Sequence, residues 1–95
     1  MSAYIIVEVS VSDQAKYEDY KKLVPPTLEL FGGRFLVRGG KTETLEGDWN
    51  PGRLVILQFD SLERAKAWWA SEEYRAPKQL RQQASKARMI VAEGA

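Results

Sequence analysis

The sequence predicts an α+β fold in which a four-stranded antiparallel sheet carries two helices on one face. Two observations indicate this. Stretches rich in β-branched residues, with apolar side chains at every second position, occur at the start, middle and end of the chain. Between them lie two regions where apolar residues recur at spacings of three and four, the helical period. The resulting βαββαβ order is that of a ferredoxin-like sandwich in a single domain, residues 1–95.

Four segments have strand character: residues 4–11, 34–38, 53–59 and 89–92. In the first, Ile5, Val7, Val9 and Val11 share one face by alternation, and this face is expected to lie under the helices. In the second, Phe35 and Val37 are expected on the helix side and Arg38 on the opposite side. Residues 42–45 can prolong this strand beyond Gly39 and Gly40 through a bulge.

The first helix is predicted from Ser12 or Asp13, whose side chains can cap the free amides of the first turn. Adjacent prolines, Pro25 and Pro26, predict a kink or a break, and the in-phase apolar stripe favours a kink. Gly32 or Gly33 is expected to end the helix in a left-handed conformation. The second helical region starts at Asp60-Ser61, and Ser71-Glu72-Glu73 predicts a second start within it, disturbed at Pro77.

Composition restricts the chemistry. The chain has no histidine and no cysteine, which excludes catalytic triads, histidine- or thiolate-bound metals and disulfides. The net charge is +1 with acids and bases interleaved, so no basic face for nucleic acid is predicted. Apolar runs are too short to cross a membrane, and no secretory signal is visible. We expect a cytoplasmic protein with neither metal nor organic cofactor.

The sheet face away from the predicted helices is only half polar. It carries apolar side chains beside Glu8, Arg38 and Gln58, and an apolar patch of this kind usually marks an interface. We therefore expect a homodimer in which two sheets pack face to face. The apolar side chains of this face are Tyr4, Ile6, Leu36, Leu54 and Ile56.

The segment GGRFLVRGG at 32–40, followed by Glu46-Gly47-Asp48, resembles the signature of the DUF1330 family. The segments VILQF at 55–59, AKAWW at 65–69 and SEEY at 71–74 are similar to the same family, as are Arg81 and the closing Glu93-Gly94. The paired prolines depart from the usual single one. The resemblance implies a dimeric α+β barrel. Members of that superfamily include cofactor-free monooxygenases, isomerases, haem-degrading enzymes and ligand-binding regulatory domains, an analogy of fold that transfers no activity.

Two groups of side chains are candidates for a ligand site. In the first, Glu8, Arg38 and Gln58 share the face away from the helices; Arg38 either holds an anionic or carbonyl-bearing molecule or pairs with Glu8. The second group lies on the helices. There Arg81 either anchors a carboxylate beside tyrosine hydroxyls or hydrogen-bonds backbone carbonyls. The members of the second group are Tyr17, Tyr20, Trp68, Trp69, Tyr74 and Arg81.

Two classes of function remain open from the sequence. The first is a small-molecule site, with or without catalysis by a metal-free isomerase or monooxygenase-like mechanism that uses Glu8 or another carboxylate as base. The second is a non-catalytic ligand-binding or accessory dimer. A carboxylate close to the arginine and tyrosine cluster in a dry pocket would favour the first class. Gly40-Lys41-Thr42 is not a phosphate-binding loop, because Phe35 occupies the position of its first glycine.

Overall fold

The computed structural model describes residues 1–95 and contains four strands and three helices. None of these helices is long and apolar enough to span a membrane. In chain order the elements are β1 (Ala3–Val11), α1 (Gln14–Leu30), β2 (Arg34–Arg38), β3 (Arg53–Phe59), α2 (Leu62–Trp69), α3 (Glu72–Ala84) and β4 (Ser85–Glu93).

The four strands form one antiparallel sheet in the order β2-β3-β1-β4, which leaves β2 and β4 at the edges. The predicted alternation of β1 and β3 is confirmed, since their helix-side residues belong to one cluster of 15 buried apolar residues. This arrangement confirms the predicted ferredoxin-like α+β fold. The largest fully buried side chains are Trp68, Tyr74, Phe59, Leu28 and Val9.

The helix boundaries follow local signals. Asp13 caps α1 by accepting a hydrogen bond from the Lys16 amide, and Gly32 follows the helix with φ +70°. The paired prolines do not divide α1, which is one continuous helix. The second helical region consists of two helices rather than one, because Ser71 caps a new start. Ser61, rather than Asp60, caps α2.

The last strand is longer than predicted, and the second is not prolonged. β4 begins at Ser85, four residues before the predicted start at Met89. Polar residues dominate these four positions, so their sequence gives no apolar alternation. They are strand because they pair with the end of β1, from Val11 opposite Ser85 to Val9 opposite Ala87. Residues 42–45 are not strand.

A β-bulge at Leu36 reverses the facing of the last residues of β2. Phe35 pairs with Leu57, whereas Val37 pairs with Ile56, the neighbouring residue of β3. Leu57 and Ile56 are consecutive residues of β3 and point to opposite faces of the sheet. Their partners Phe35 and Val37 therefore also face opposite ways. The prediction that both lie under the helices is therefore wrong for Val37.

The bulge also moves Arg38 to the helix side. Arg38 pairs with Val55, a core residue of β3, and its Nη2 donates a hydrogen bond to the Lys21 carbonyl of α1 at 2.8 Å. The predicted placement of Arg38 beside Glu8 and Gln58 is therefore wrong. Alternation was a valid guide only as far as Phe35, because a bulge inserts one extra residue into the pattern.

The face of the sheet away from the helices, the outer face, carries an apolar row across all four strands. Val37 pairs with Ile56, Ile56 with Ile6, and Ile6 with Ile90. Neither side of this row is apolar throughout, since hydrogen-bonded polar pairs flank it. These pairs are Arg34 with Gln58 on one side and Glu8 with Arg88 on the other.

Replacing Gly33 with alanine is expected to destabilise the fold. A Cβ at Gly33 would lie 2.6 Å from Phe59 Cε1 and 3.1 Å from Leu28 Cδ2, and both side chains are fully buried. We expect Gly33→Ala to lower the free energy of unfolding by about 1–3 kcal/mol, measured by urea denaturation.

Gly40→Ala is the matched control, because a Cβ there meets nothing within 4 Å. Its free energy of unfolding should stay within about 0.5 kcal/mol of wild type or rise slightly. Equal midpoints for the two variants would contradict the packing described for Gly33.

Candidate functional site

A set of buried aromatic side chains joins the three helices. The rings of Trp68 in α2 and Tyr74 in α3 stack with centroids 4.0 Å apart. The hydroxyl of Tyr74 is hydrogen-bonded to that of Tyr20 in α1 at 2.7 Å, and the indole N–H of Trp68 donates to Thr27 Oγ1 at 3.0 Å. Every polar atom of this set therefore has a partner, which burial requires.

The hydroxyl of Tyr20 stays protonated in the folded protein. Burial is the main cause that raises the pKa of Tyr20 above its ordinary value, and the neighbouring Tyr74 adds to the effect. The Tyr20 hydroxyl is therefore a neutral hydrogen-bonding group that carries no negative charge.

Arg81 lies next to this pair. Its position seven residues after Tyr74 places both on one face of α3, which continues through Pro77 as a single helix. The Nε of Arg81 donates to the Tyr74 hydroxyl at 3.4 Å, and only 6% of the residue is exposed. The predicted alternative, hydrogen bonds from this side chain to backbone carbonyls, is not formed.

An apolar groove of about 590 Å³ opens beside Arg81, between β4 and the helices α2 and α3. Its walls are the exposed Trp69 ring from α2 and the small or aliphatic residues of β4, with Ile5 of β1 also lining it. The groove contains no acidic side chain. Its twelve lining residues are Ile5, Ala65, Lys66, Trp69, Ala70, Arg81, Gln82, Ser85, Ala87, Met89, Ile90 and Val91.

A second cavity lies deeper, between the helices and the sheet. Its volume of about 30 Å³ leaves room for about one water molecule. Arg81 and Met89 line both spaces and therefore form the boundary between them. Of these two spaces, Tyr17, Tyr20 and Trp68 line the inner cavity and not the groove, so these predicted site residues are not part of the groove.

Tyr17 is held by an arginine that the sequence did not single out. Arg53 Nε donates to the Tyr17 hydroxyl at 3.1 Å, and its guanidinium carbon lies 5.4 Å from the centre of the ring. Arg38 lies nearby over the ring of Phe35, at 4.2 Å from the centroid. These contacts show that two of the arginines near the inner cavity already have partners.

The group predicted on the outer face is divided among other partners. Glu8 pairs with Arg88, whose Nε is 3.0 Å from Glu8 Oε1, and it accepts a 2.7 Å hydrogen bond from the indole of Trp49. These hydrogen bonds hold the pKa of Glu8 below its ordinary value. The bond from the Trp49 indole has the larger effect, and the bond from Arg88 has the smaller one. Neither Glu8 nor Gln58 lines the groove.

Sequence reasoning missed the partners of Glu8 and Gln58. Arg88 falls in the part of β4 that precedes the predicted strand start at Met89, and Trp49 belongs to a loop whose path no periodicity predicts. Gln58 accepts from Arg34 Nε at 2.8 Å, and the pairing of these two residues follows from the register of β2 on β3. Only that register, had it been known, would have identified the pair.

Comparison with models of protein families identifies the family of this chain. Residues 2–95 match the model of DUF1330, a domain of unknown function. The chain therefore belongs to the DUF1330 family, as the resemblance of its glycine-bracketed strand predicted. A comparison with curated proteins gave no match.

Solved structures share the fold at low sequence identity. A protein of unknown function from Rhodopseudomonas palustris matches with a TM-score of 0.77 and 18% identity, over 99% of this chain and 82% of that one. A dimeric ferredoxin-like protein of unknown function from Jannaschia sp. CCS1 has a TM-score of 0.74 and 8% identity, over 99% and 100%. SnoaB, a cofactor-independent oxygenase from Streptomyces nogalater, has a TM-score of 0.57 and 10% identity, over 99% and 93%.

The stability of the protein is expected to fall above about pH 10, partly through Tyr20. The folded state keeps this hydroxyl protonated whereas the unfolded chain releases the proton, so stability present below pH 10 is lost as the pH rises. In Tyr20→Phe this contribution to the slope, at most about 1.4 kcal/mol per pH unit, disappears. Urea unfolding of both proteins from pH 8 to 11 measures it.

Tyr4→Phe is the control, because Tyr4 lies on the outer face, away from the hydroxyl pair. It should keep the wild-type slope. Parallel curves for wild type and Tyr20→Phe at alkaline pH would contradict the assignment of this dependence to Tyr20.

Proposed function

We propose that this protein is a homodimer that binds a small molecule in the groove between β4, α2 and α3. The observation that carries the proposal is an open apolar groove of about 590 Å³ with a buried arginine in its wall. Binding sites for small molecules are typically concave, mostly apolar and supplied with a few polar groups that fix the ligand. In this groove Arg81 provides the charged group and Trp69 provides an aromatic wall.

Binding without catalysis is favoured over an enzymatic reaction. The groove has neither histidine nor carboxylate, so it offers no ordinary general base. Glu8, the base expected from the sequence, lies on the outer face and is engaged by Arg88 and Trp49. The isomerase mechanism is therefore poorly supported.

An oxygenase-like reaction is the second candidate. A substrate that itself activates oxygen needs a site that holds it and excludes water rather than a strong base. The fold that this chain shares with SnoaB is compatible with such a reaction, although the likeness is one of fold alone.

The cytoplasmic location expected from the sequence also stays a prediction.

The outer face supports the homodimer. Its apolar row, flanked by polar pairs, has the apolar centre and polar rim that protein interfaces have. A two-fold axis through the row would place the same residues of two copies against each other, which a closed dimer requires. The similar protein from Jannaschia sp. is described as dimeric.

Charge placed in the apolar row is expected to separate the dimer. Ile56 pairs with both Ile6 and Val37, so its side chain lies at the middle of the row. We expect Ile56→Glu to shift the mass measured by light scattering on a sizing column from dimer to monomer, because the introduced carboxylate would be buried without a partner.

Gln79→Glu, on the exposed side of α3, is the control for added charge and should remain dimeric. A wild-type protein that is already monomeric at all concentrations would contradict the dimer. A dimer that persists in Ile56→Glu would place the interface elsewhere.

Filling the groove is expected to weaken binding. Ala87 lines the groove, and leucine at this position would occupy part of it. With 1-naphthol as a neutral probe and 1-naphthoate as an acidic one, we expect amide NMR shifts at groove residues. Ala87→Leu should weaken binding of both by about tenfold or more, through steric exclusion.

Ala76→Leu makes the same change on the exposed surface of α3 and should leave binding unaltered. If neither probe shifts groove residues, the proposed site is wrong. Shifts of equal size in Ala87→Leu and wild type would also place binding outside the groove.

A further inference from the structure

Arg81 is a buried cation without an anionic partner. The structure contains four ion pairs, and Arg81 takes part in none of them. Its one side-chain hydrogen bond, at 3.4 Å, is long and goes to the hydroxyl of Tyr74 rather than to a carboxylate. Only 6% of the residue is exposed, and because no buried side-chain nitrogen lacks a hydrogen-bond partner, this small exposed part belongs to the guanidinium nitrogens that form no hydrogen bond. A buried charge without a partner is costly, which makes this arrangement unusual for a side chain with a purely structural role.

The end of α3 compensates this charge only in part. Arg81 lies in the last turn of the helix, where the partial negative charge of the free carbonyls favours a cation. One of these carbonyls, that of Arg81 itself, already accepts a 2.7 Å hydrogen bond from Ser85 Oγ. The helix terminus therefore makes the position tolerable for a cation but does not supply a hydrogen-bond acceptor to the guanidinium.

The surroundings of Arg81 contain positive charge and no negative charge. In the groove the second charged lining residue is Lys66, and no aspartate or glutamate lines it. The charged residues that line the inner cavity on the other side of Arg81 are also all cations, namely Lys21, Arg38, Arg53 and Arg81. An apolar space whose charges have one sign raises the local concentration of molecules of the opposite sign.

We propose that the natural ligand of the groove is a small amphipathic monoanion, whose carboxylate pairs with Arg81 and whose apolar part lies along Trp69 and β4. This inference rests on the proposed function and adds the chemical class of the ligand to it. A carboxylate fits the free N–H groups of a guanidinium in a bidentate manner, which neutral polar groups do not match. The volume of about 590 Å³ is sufficient for a molecule with one aromatic ring and a short chain.

The test compares two ligands of the same shape, 4-phenylbutanoate and 4-phenylbutanamide, by calorimetry and by amide NMR shifts at neutral pH. We expect wild type to bind the acid about tenfold more tightly than the amide or better, because only the acid completes an ion pair in a dry site. In Arg81→Gln most of this preference should be lost, since only Lys66 remains in the groove, and in Arg81→Lys a reduced preference for the acid should remain.

Lys66→Gln is the control for general charge attraction, since it removes the other cation of the groove while Arg81 stays. It should keep most of the preference for the acid. The free energy of unfolding of Arg81→Gln, measured in urea, provides a second readout. If Arg81 had only a structural role, this substitution would lower the free energy of unfolding. An arginine whose charge is unpaired can instead be replaced by a neutral side chain without loss of stability.

The possible results distinguish a failure of this inference from a failure of the proposed function. Equal binding of acid and amide at the groove of wild type would overturn the anion inference and leave the groove as a binding site. A preference that survives undiminished in Arg81→Gln would also overturn it. Failure of both ligands to shift groove residues would refute the proposed site and the inference together.

Discussion

The stack of Trp68 on Tyr74, with the hydrogen bond from Tyr74 to Tyr20, is the contact on which the helical layer depends. It joins one side chain from each helix, with ring centroids 4.0 Å apart and hydroxyl oxygens 2.7 Å apart. α2 and α3 are separate helices joined by a short turn, and a second contact between them comes from Lys78 of α3, whose Nζ donates to the Trp69 carbonyl of α2 at 2.9 Å. Arg81, two turns after Tyr74, owes its position at the groove to the contacts of Tyr74.

The two faces of the sheet carry different kinds of polar group. On the outer face, charged groups are paired within the chain, as Glu8 is with Arg88. On the helix side, Arg81 is buried without an acid. Paired charges at the rim of an apolar row suit contact with another protein surface, whereas an unpaired charge in an apolar groove suits a small counter-ion. This difference is why the groove, rather than the sheet face, is the better candidate for a ligand site.

The sequence predicted elements whose pattern is local and missed features that depend on pairing. β1, β2 and β3 were predicted within one residue, and Tyr74 and Arg81 were correctly placed together from their spacing. Arg38 was misplaced because a bulge at Leu36, two residues earlier, shifts the alternation. This bulge depends on how β2 pairs with β3, which the sequence of β2 alone does not show. The groove was missed in part because two of its lining residues, Ser85 and Ala87, belong to the polar start of β4, which is a strand only through pairing with β1.

The edge strand β4 physically connects the outer face to the groove. Ile90 is the last member of the apolar row and also lines the groove, with 62% of its surface exposed. A second sheet packed on the row would restrict this side chain, and a ligand in the groove would meet the same side chain from the other side. Two binding events that order one shared group stabilise each other, since the cost of ordering is met once. Dimer formation and ligand binding should therefore be coupled, and by linkage the coupling must be equal in both directions.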